Sequence, residues 1–310
     1  MIDDTALEPV VGMLLGVIDV DGGATDEQRA VLAAIVAGAW QRPDLDLDAL
    51  DPLDPAASAA AIPDGTRRRA YELMVLLELC RHPLTQAQES RAEEYAAALG
   101  ESADAGVAVA RDLVRQGAEA AMADYMRYAD AATPGMQEPS LKDAYPGALD
   151  EPDHELAARL RALHDLPRGT LGNQYVEFYR RNGLTLPGDD PHMPAVFVAH
   201  DMCHVIGGYE PTGQGEIALG AMQVSIADTE PHWIGFLGNL AVHEAGFLSN
   251  DTLTAKQATL TRSGAPELVA HAMWRGTQCT GDFTTADHLA MAELELEEVR
   301  ARYGVPPVAG

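Results

Sequence analysis

The spacing of its apolar residues limits the fold of this chain more than any other feature. They recur at three and four residues, while alternating runs of Val, Ile and Thr are nearly missing. Residues 30–40 show the pattern, with Val31, Leu32, Ile35 and Val36 on one helical face. Composition agrees with periodicity. Hydrophobic residues make up 47% of the chain but aromatic ones only 5%, so the core is aliphatic and Ala-rich, and Ala, Leu, Glu and Arg all favour helix. The expectation is an all-α fold. A chain of 310 residues is long enough for two ordinary domains or one large one.

Punctuation residues divide the chain. In the first half a helix is expected over 10–20, closed by the Asp21-Gly22-Gly23 turn. Thr25-x-x-Gln28 then reads as a capping box opening the next helix. The pattern recurs about sixty residues on: a helix over 71–80, a break at His82-Pro83, and Thr85-x-x-Gln88 capping a helix to Leu99. This is the mark of a pseudo-repeated unit. Asp19-x-Asp21-Gly22 is not a calcium loop. Counted from Asp19, the sixth and twelfth positions carry Ala24 and Ala30, where an EF-hand needs Gly and Glu. A further helix is expected over 105–131. Residues 132–153 then gather Pro134, Pro139, Pro146 and Pro152, which a helix interior does not tolerate. The expected organisation is therefore a helical domain at 1–131, a linker at 132–153 and a second helical domain at 154–310. The first half, over about 5–100, is similar to the TerB-like helical domain in pairing such helices around an acidic Asp-Gly turn.

Charge excludes whole classes of partner. Forty-eight acidic residues against twenty-one basic ones give a net charge of −27. Nucleic acid is excluded for want of a basic footprint, and unaided adhesion to anionic lipid is disfavoured. Cys80, Cys203 and Cys279 are far apart and odd in number, so a reducing cytoplasm is the expected home. Met1-Ile2-Asp3-Asp4 is acidic where a signal peptide is basic. The apolar stretch at 10–18 falls short of the ~20 residues of a spanning helix, so no transmembrane segment is expected.

The chemistry sits at His200-Asp201-Met202-Cys203-His204 and, after eleven intervening residues, at Glu216. Residues four apart share a helix face, so His200 and His204 present two imidazoles side by side, the geometry that chelates a divalent metal. Asp201, about a hundred degrees around the helix, either ligates or orients a ligating imidazole. Gly207-Gly208 ends that helix, Gly213-x-Gly215 allows a tight return, and a helix over 216–226 brings in Glu216. The expected ligands are His200, Asp201, His204 and Glu216. Zinc is the first expectation, and iron, manganese and cobalt suit the same donors. Cys203 points to another face and is expected to pack. His243-Glu244 starts like a zincin helix, but Phe247 stands where the second His belongs. His232 is expected at a helix start. A metal phosphohydrolase of HD type is the lesser alternative; it requires His164 beside the metal, with Asp251 or Asp282 completing the set. Spacing reveals no general acid or base apart from the ligands.

This HDxxH, eleven residues and Glu resembles the metal motif of the coenzyme Q biosynthesis protein 4 family. The resemblance extends over about 155–306. It includes Leu166-Pro167-Arg168-Gly169-Thr170-Leu171-Gly172 with Tyr175, then Trp274-Arg275-Gly276, and the closing Leu296-Glu297-Glu298-Val299-Arg300 with Tyr303-Gly304-Val305. It implies a helical bundle, a divalent metal beside an apolar groove, and a prenylated aromatic or isoprenoid lipid as ligand. It also implies a role in ubiquinone-type biosynthesis, as a lyase in oxidative decarboxylation at C1 of a hydroxybenzoate-like ring. The alternative is a non-catalytic lipid-binding scaffold for other quinone-biosynthesis proteins. Ile217, Leu219, Val224, Ile234, Phe236, Leu237, Leu240, Phe247 and Leu248 are candidates to line the groove, each also a plain core residue. A cytoplasmic protein is expected, with peripheral attachment at the inner membrane face and a homo-oligomer both compatible with it.

Overall fold

The computed structural model describes residues 2–101, 137–141, 151–191, 193, 195–246 and 257–308. The expected helix over 105–131, most of the expected linker, Phe247, Leu248 and Asp251 lie outside them. Among the described residues there are twelve α-helices, with isolated bridges in place of strands. The all-α expectation holds.

Five helices form the first half: α1 Asp4–Ile18, α2 Asp26–Ala34, α3 Pro55–Ala61, α4 Asp64–Leu79 and α5 Gln86–Leu99. The Thr25 capping box forms in full, side chain to Gln28 N–H and Gln28 back to the cap. Beyond Ala34 the helix widens into a π-turn, Ile35–Ala39. Thr85 caps α5 through the Gln88 N–H, but the Gln88 side chain does not fold back. Its Nε2 donates to Val17 O, and the Gln28 Nε2 donates to Gln88 Oε1 at 3.1 Å and to Leu77 O. The equivalent glutamines of the two expected units thus meet. Arg81 closes this buried network by donating to Gln28 Oε1 and Val20 O. Each polar group so buried needs such a partner, because an unmade hydrogen bond costs about 1–3 kcal/mol.

The second half holds α6 His154–Ala162, α7 Leu171–Asn182, α8 Val196–Gly207, α9 Gly213–Ile226, α10 Glu230–His243, α11 Ala265–Gln278 and α12 Leu296–Tyr303. Helices α9 and α11 pack backbone to backbone, since a Cβ on Gly276 would stand 2.3 Å from Met222 O. One apolar core runs through both halves. Helix α11 lies across α2 and the π-turn, and α10 packs on α4. Gly38 permits the first contact, because a Cβ there would meet the Ala270 methyl at 2.9 Å. Of the expected groove residues, Ile217, Leu219, Val224, Ile234, Phe236, Leu237 and Leu240 are all buried in this core. Among the described residues, no helix is long and apolar enough to cross a membrane.

Candidate metal centre

Helix α8 carries His200, Asp201 and His204 and stops where its sequence dictates. Gly208 takes the left-handed conformation that glycine adopts without strain, with φ of 77°. The last carbonyls of α8 are then capped by two arginines from far along the chain. Arg300 donates to Val205 O and Ile206 O, and Arg275 donates to Gly207 O at 2.8 Å. Cations at a helix C-terminus satisfy orphan carbonyls and the negative end of the dipole. The stretches around 275 and 300 are therefore anchors of the histidine helix. The return is as tight as expected: Thr212 caps α9 through Gly215 N–H, and a Cβ on Gly215 would sit 1.9 Å from Glu210 O. Helix α9 begins at Gly213, which puts Glu216 in its first turn.

Three of the expected ligand atoms converge. His200 Nε2 and His204 Nε2 lie 3.2 Å apart, and Glu216 Oε2 is 3.2 Å from the first and 3.1 Å from the second. Ligand atoms bound at about 2.0–2.2 Å stand about 3.3 Å apart around a tetrahedral zinc, so this triangle fits one ion. The tautomer fits as well. His204 Nδ1 faces the Tyr209 carbonyl at 2.9 Å; only a donor is favourable there, which leaves the neutral ring's lone pair on Nε2. Asp201 completes a group of His200, Asp201 and His204 whose ligand atoms lie within 4.8 Å of one another. Its Oδ2 accepts a hydrogen bond from the Tyr179 hydroxyl. Among the described residues no imidazole hydrogen bond to Asp201 forms; the orienting group for His204 is the Tyr209 carbonyl instead. The Phe178 ring stacks on His204 with centroids 5.5 Å apart.

Electrostatics match a cation site. Burial raises the Glu216 pKa, but the two imidazoles outweigh it and hold the carboxyl well below its usual range. Loss of water lowers His200, yet the hydrogen bond and charge of Glu216 push it up to about 9. Burial raises Asp201 against the pull of both imidazoles. The triangle has one open side: the His200 side chain is 31% exposed and that of Glu216 14%, while His204 is fully enclosed.

The other sequence candidates separate from this cluster. His164 is on the surface, paired with Glu177 at 3.0 Å and with Arg180. Asp282 accepts from Thr284. Among the described residues, His164 is not one of the side chains grouped with His200 and His204. Cys203 is buried, its Sγ 3.9 Å from His288 Nε2, and packs as expected. His232 opens α10 between Thr229 and Thr284 hydroxyls. Sequence reasoning missed Tyr179, Tyr209 and both arginine caps. Tyr179 sits in α7, whose first residues are clipped to the 292–294 turn by Leu171 N–H to Leu294 O and Gly172 N–H to Ala292 O.

No family model matches the chain, and no curated protein matches it. The TerB-like likeness of the first half gains no support from these comparisons. A solved structure from Nostoc punctiforme, by name a candidate ubiquinone biosynthesis protein, is similar over 77% of this chain and 99% of that one. The identity is 18% and the TM-score 0.37.

Proposed function

We propose that this chain is a metal-dependent protein of ubiquinone-type or related prenyl-lipid biosynthesis that removes the ring carboxyl of a prenylated hydroxybenzoate-like substrate. The observation that carries the metal is the triangle of His200 Nε2, His204 Nε2 and Glu216 Oε2, all within 3.2 Å. The substrate class rests on the HDxxH…Glu motif and its flanking matches. A bound divalent ion supplies a Lewis acid for a ring phenolate and carboxylate. The protein's own part is orientation. Tyr209 fixes the His204 tautomer, Glu216 stays ionised between two imidazoles, and Tyr179 keeps its proton while it holds Asp201 in place. The open side at His200 favours an enzyme over a scaffold, because structural sites are closed by protein and catalytic ones keep a free position.

The test uses a short-chain prenylated hydroxybenzoate with an isotopically labelled carboxyl, given to protein loaded in turn with zinc, iron, manganese or cobalt. Labelled carbon dioxide is expected from the wild type with at least one metal. His204→Ala is expected to keep its helical circular dichroism, lose the metal and release none. Wild-type metal content in His204→Ala would remove the site. Tight binding of the ring without release, under all four metals and with oxygen present, would leave the scaffold.

A further inference from the structure

A second cluster of metal-type side chains lies where the two halves of the molecule meet. Glu27 comes from the first turn of α2, His82 from the turn after α4, and Glu244 from the end of α10. One ligand atom from each lies within 4.8 Å of the other two. His82 Nε2 is 2.6 Å from Glu244 Oε1 and 3.5 Å from Glu27 Oε2. The side chains are enclosed: Glu244 is fully buried, Glu27 is 8% exposed and His82 17%. The other Glu244 oxygen accepts the Leu260 N–H at 2.7 Å, which aims its partner oxygen at His82. Glu27 Oε1 is buried without a hydrogen-bond partner.

An imidazolium alone does not account for this arrangement. Two carboxylates facing one ring leave a net negative charge in a dry site, and such a charge is expensive unless it is neutralised. A proton or a cation must therefore enter with the two acids. The 3.5 Å separation of His82 and Glu27 matches the spacing of atoms around a single ion bound at about 2.0–2.2 Å, and the 2.6 Å hydrogen bond of His82 with Glu244 would open by about 0.7 Å to admit it. Glu27 Oε2, the oxygen that faces His82, is the one placed to ligate, and the buried Oε1 of the same carboxylate has no hydrogen bond to hold it back. One imidazole and two carboxylates suit zinc, manganese or ferrous iron.

We infer that Glu27, His82 and Glu244 form a second divalent-cation site that clasps the two halves together. It shares no residue with the His200 cluster, so either can fail without the other. Its role is structural, since the ion ties α2 to the end of α10 and the bound form is the folded form.

The experiment uses the full chain with His200→Ala, which disables the first cluster at its most exposed ligand. Chelator-stripped protein is titrated with Zn2+ and, separately, Mn2+, with heat of binding and melting temperature as readouts. One saturable equivalent and a rise in melting temperature are expected for at least one ion. Adding Glu27→Gln is expected to weaken binding by about tenfold or more and to remove the thermal rise. The metal-free melting temperature should hold or increase, because the amide mimics the protonated acid. His82→Gln is expected to give the same loss of affinity and covers a Glu27→Gln chain that does not fold. No saturable equivalent with either ion, or unchanged affinity in the folded variants, overturns the assignment; the latter leaves a shared proton as the neutralising charge.

Discussion

The two histidine–carboxylate clusters contain the same chemical groups but are built in opposite ways. In the first, Glu216 lies between two imidazoles and is pulled well below the ordinary carboxylate range. In the second, Glu27 lies beside another carboxylate and is pushed up to about 8. Burial penalises the charge of both acids, so what differs is the sign of the neighbours. The first is built on two consecutive helices by residues 200–216; the second draws on three segments spread over more than two hundred residues. Local chain geometry is enough for the first, and the second exists only once the halves have packed.

The largest expected effect sharpens the first side of the contrast. Tyr179→Phe deletes the hydroxyl that holds Asp201 and is expected to weaken metal binding by about 10–100-fold, the usual cost of losing an orienting partner. Competition with a chromogenic chelator measures this. An affinity within twofold of wild type would mean that Asp201 has no part in the site. The matching variant His82→Gln should leave the first cluster's affinity unchanged.

A smaller effect concerns the interface side and can be read from pH. Glu72 in α4 bonds Arg68 at 3.0 Å, next to Arg69, which pairs with Asp228 of the second half. Burial, only partly offset by Arg68 and Arg69, pushes Glu72 up to about 7. Between its ordinary value of 4.5 and about 7 the folded chain binds more protons at this position than the unfolded chain. The stability it contributes is therefore complete below 4.5 and is lost as pH rises through 7. Glu72→Gln should flatten that decline by about 1–2 kcal/mol, measured as the difference in urea unfolding between mildly acidic and neutral buffer. An equal decline in both proteins would place the titration elsewhere.

The smallest effect checks that the surface pair is a bystander. His164→Ala should change stability by less than about 0.5 kcal/mol and leave metal content at the wild-type level. Lost metal would restore the phosphohydrolase arrangement that the exposed position of His164 argues against.

Periodicity, capping and spacing in the sequence were enough to determine the helical class, the Thr25 and Thr85 caps, the stop at Gly207-Gly208, and the meeting of His200, His204 and Glu216. All are set within a turn or two of helix, where residue offset fixes direction in space. Tyr179, Arg275 and Arg300 were not legible as site residues, because they reach the α8 helix from other helices, and Tyr209, though next to the Gly208 cap, acts through a backbone carbonyl that carries no residue signature. His243-Glu244 was read for a zincin helix and found incomplete; its glutamate belongs instead with Glu27 and His82. Tertiary structure alone decided which carboxylates meet imidazoles and which meet each other. Such pairings depend on how helices cross, and crossing is governed by close contacts such as Gly38 on Ala270 and Gly276 on Met222, to which no local pattern points.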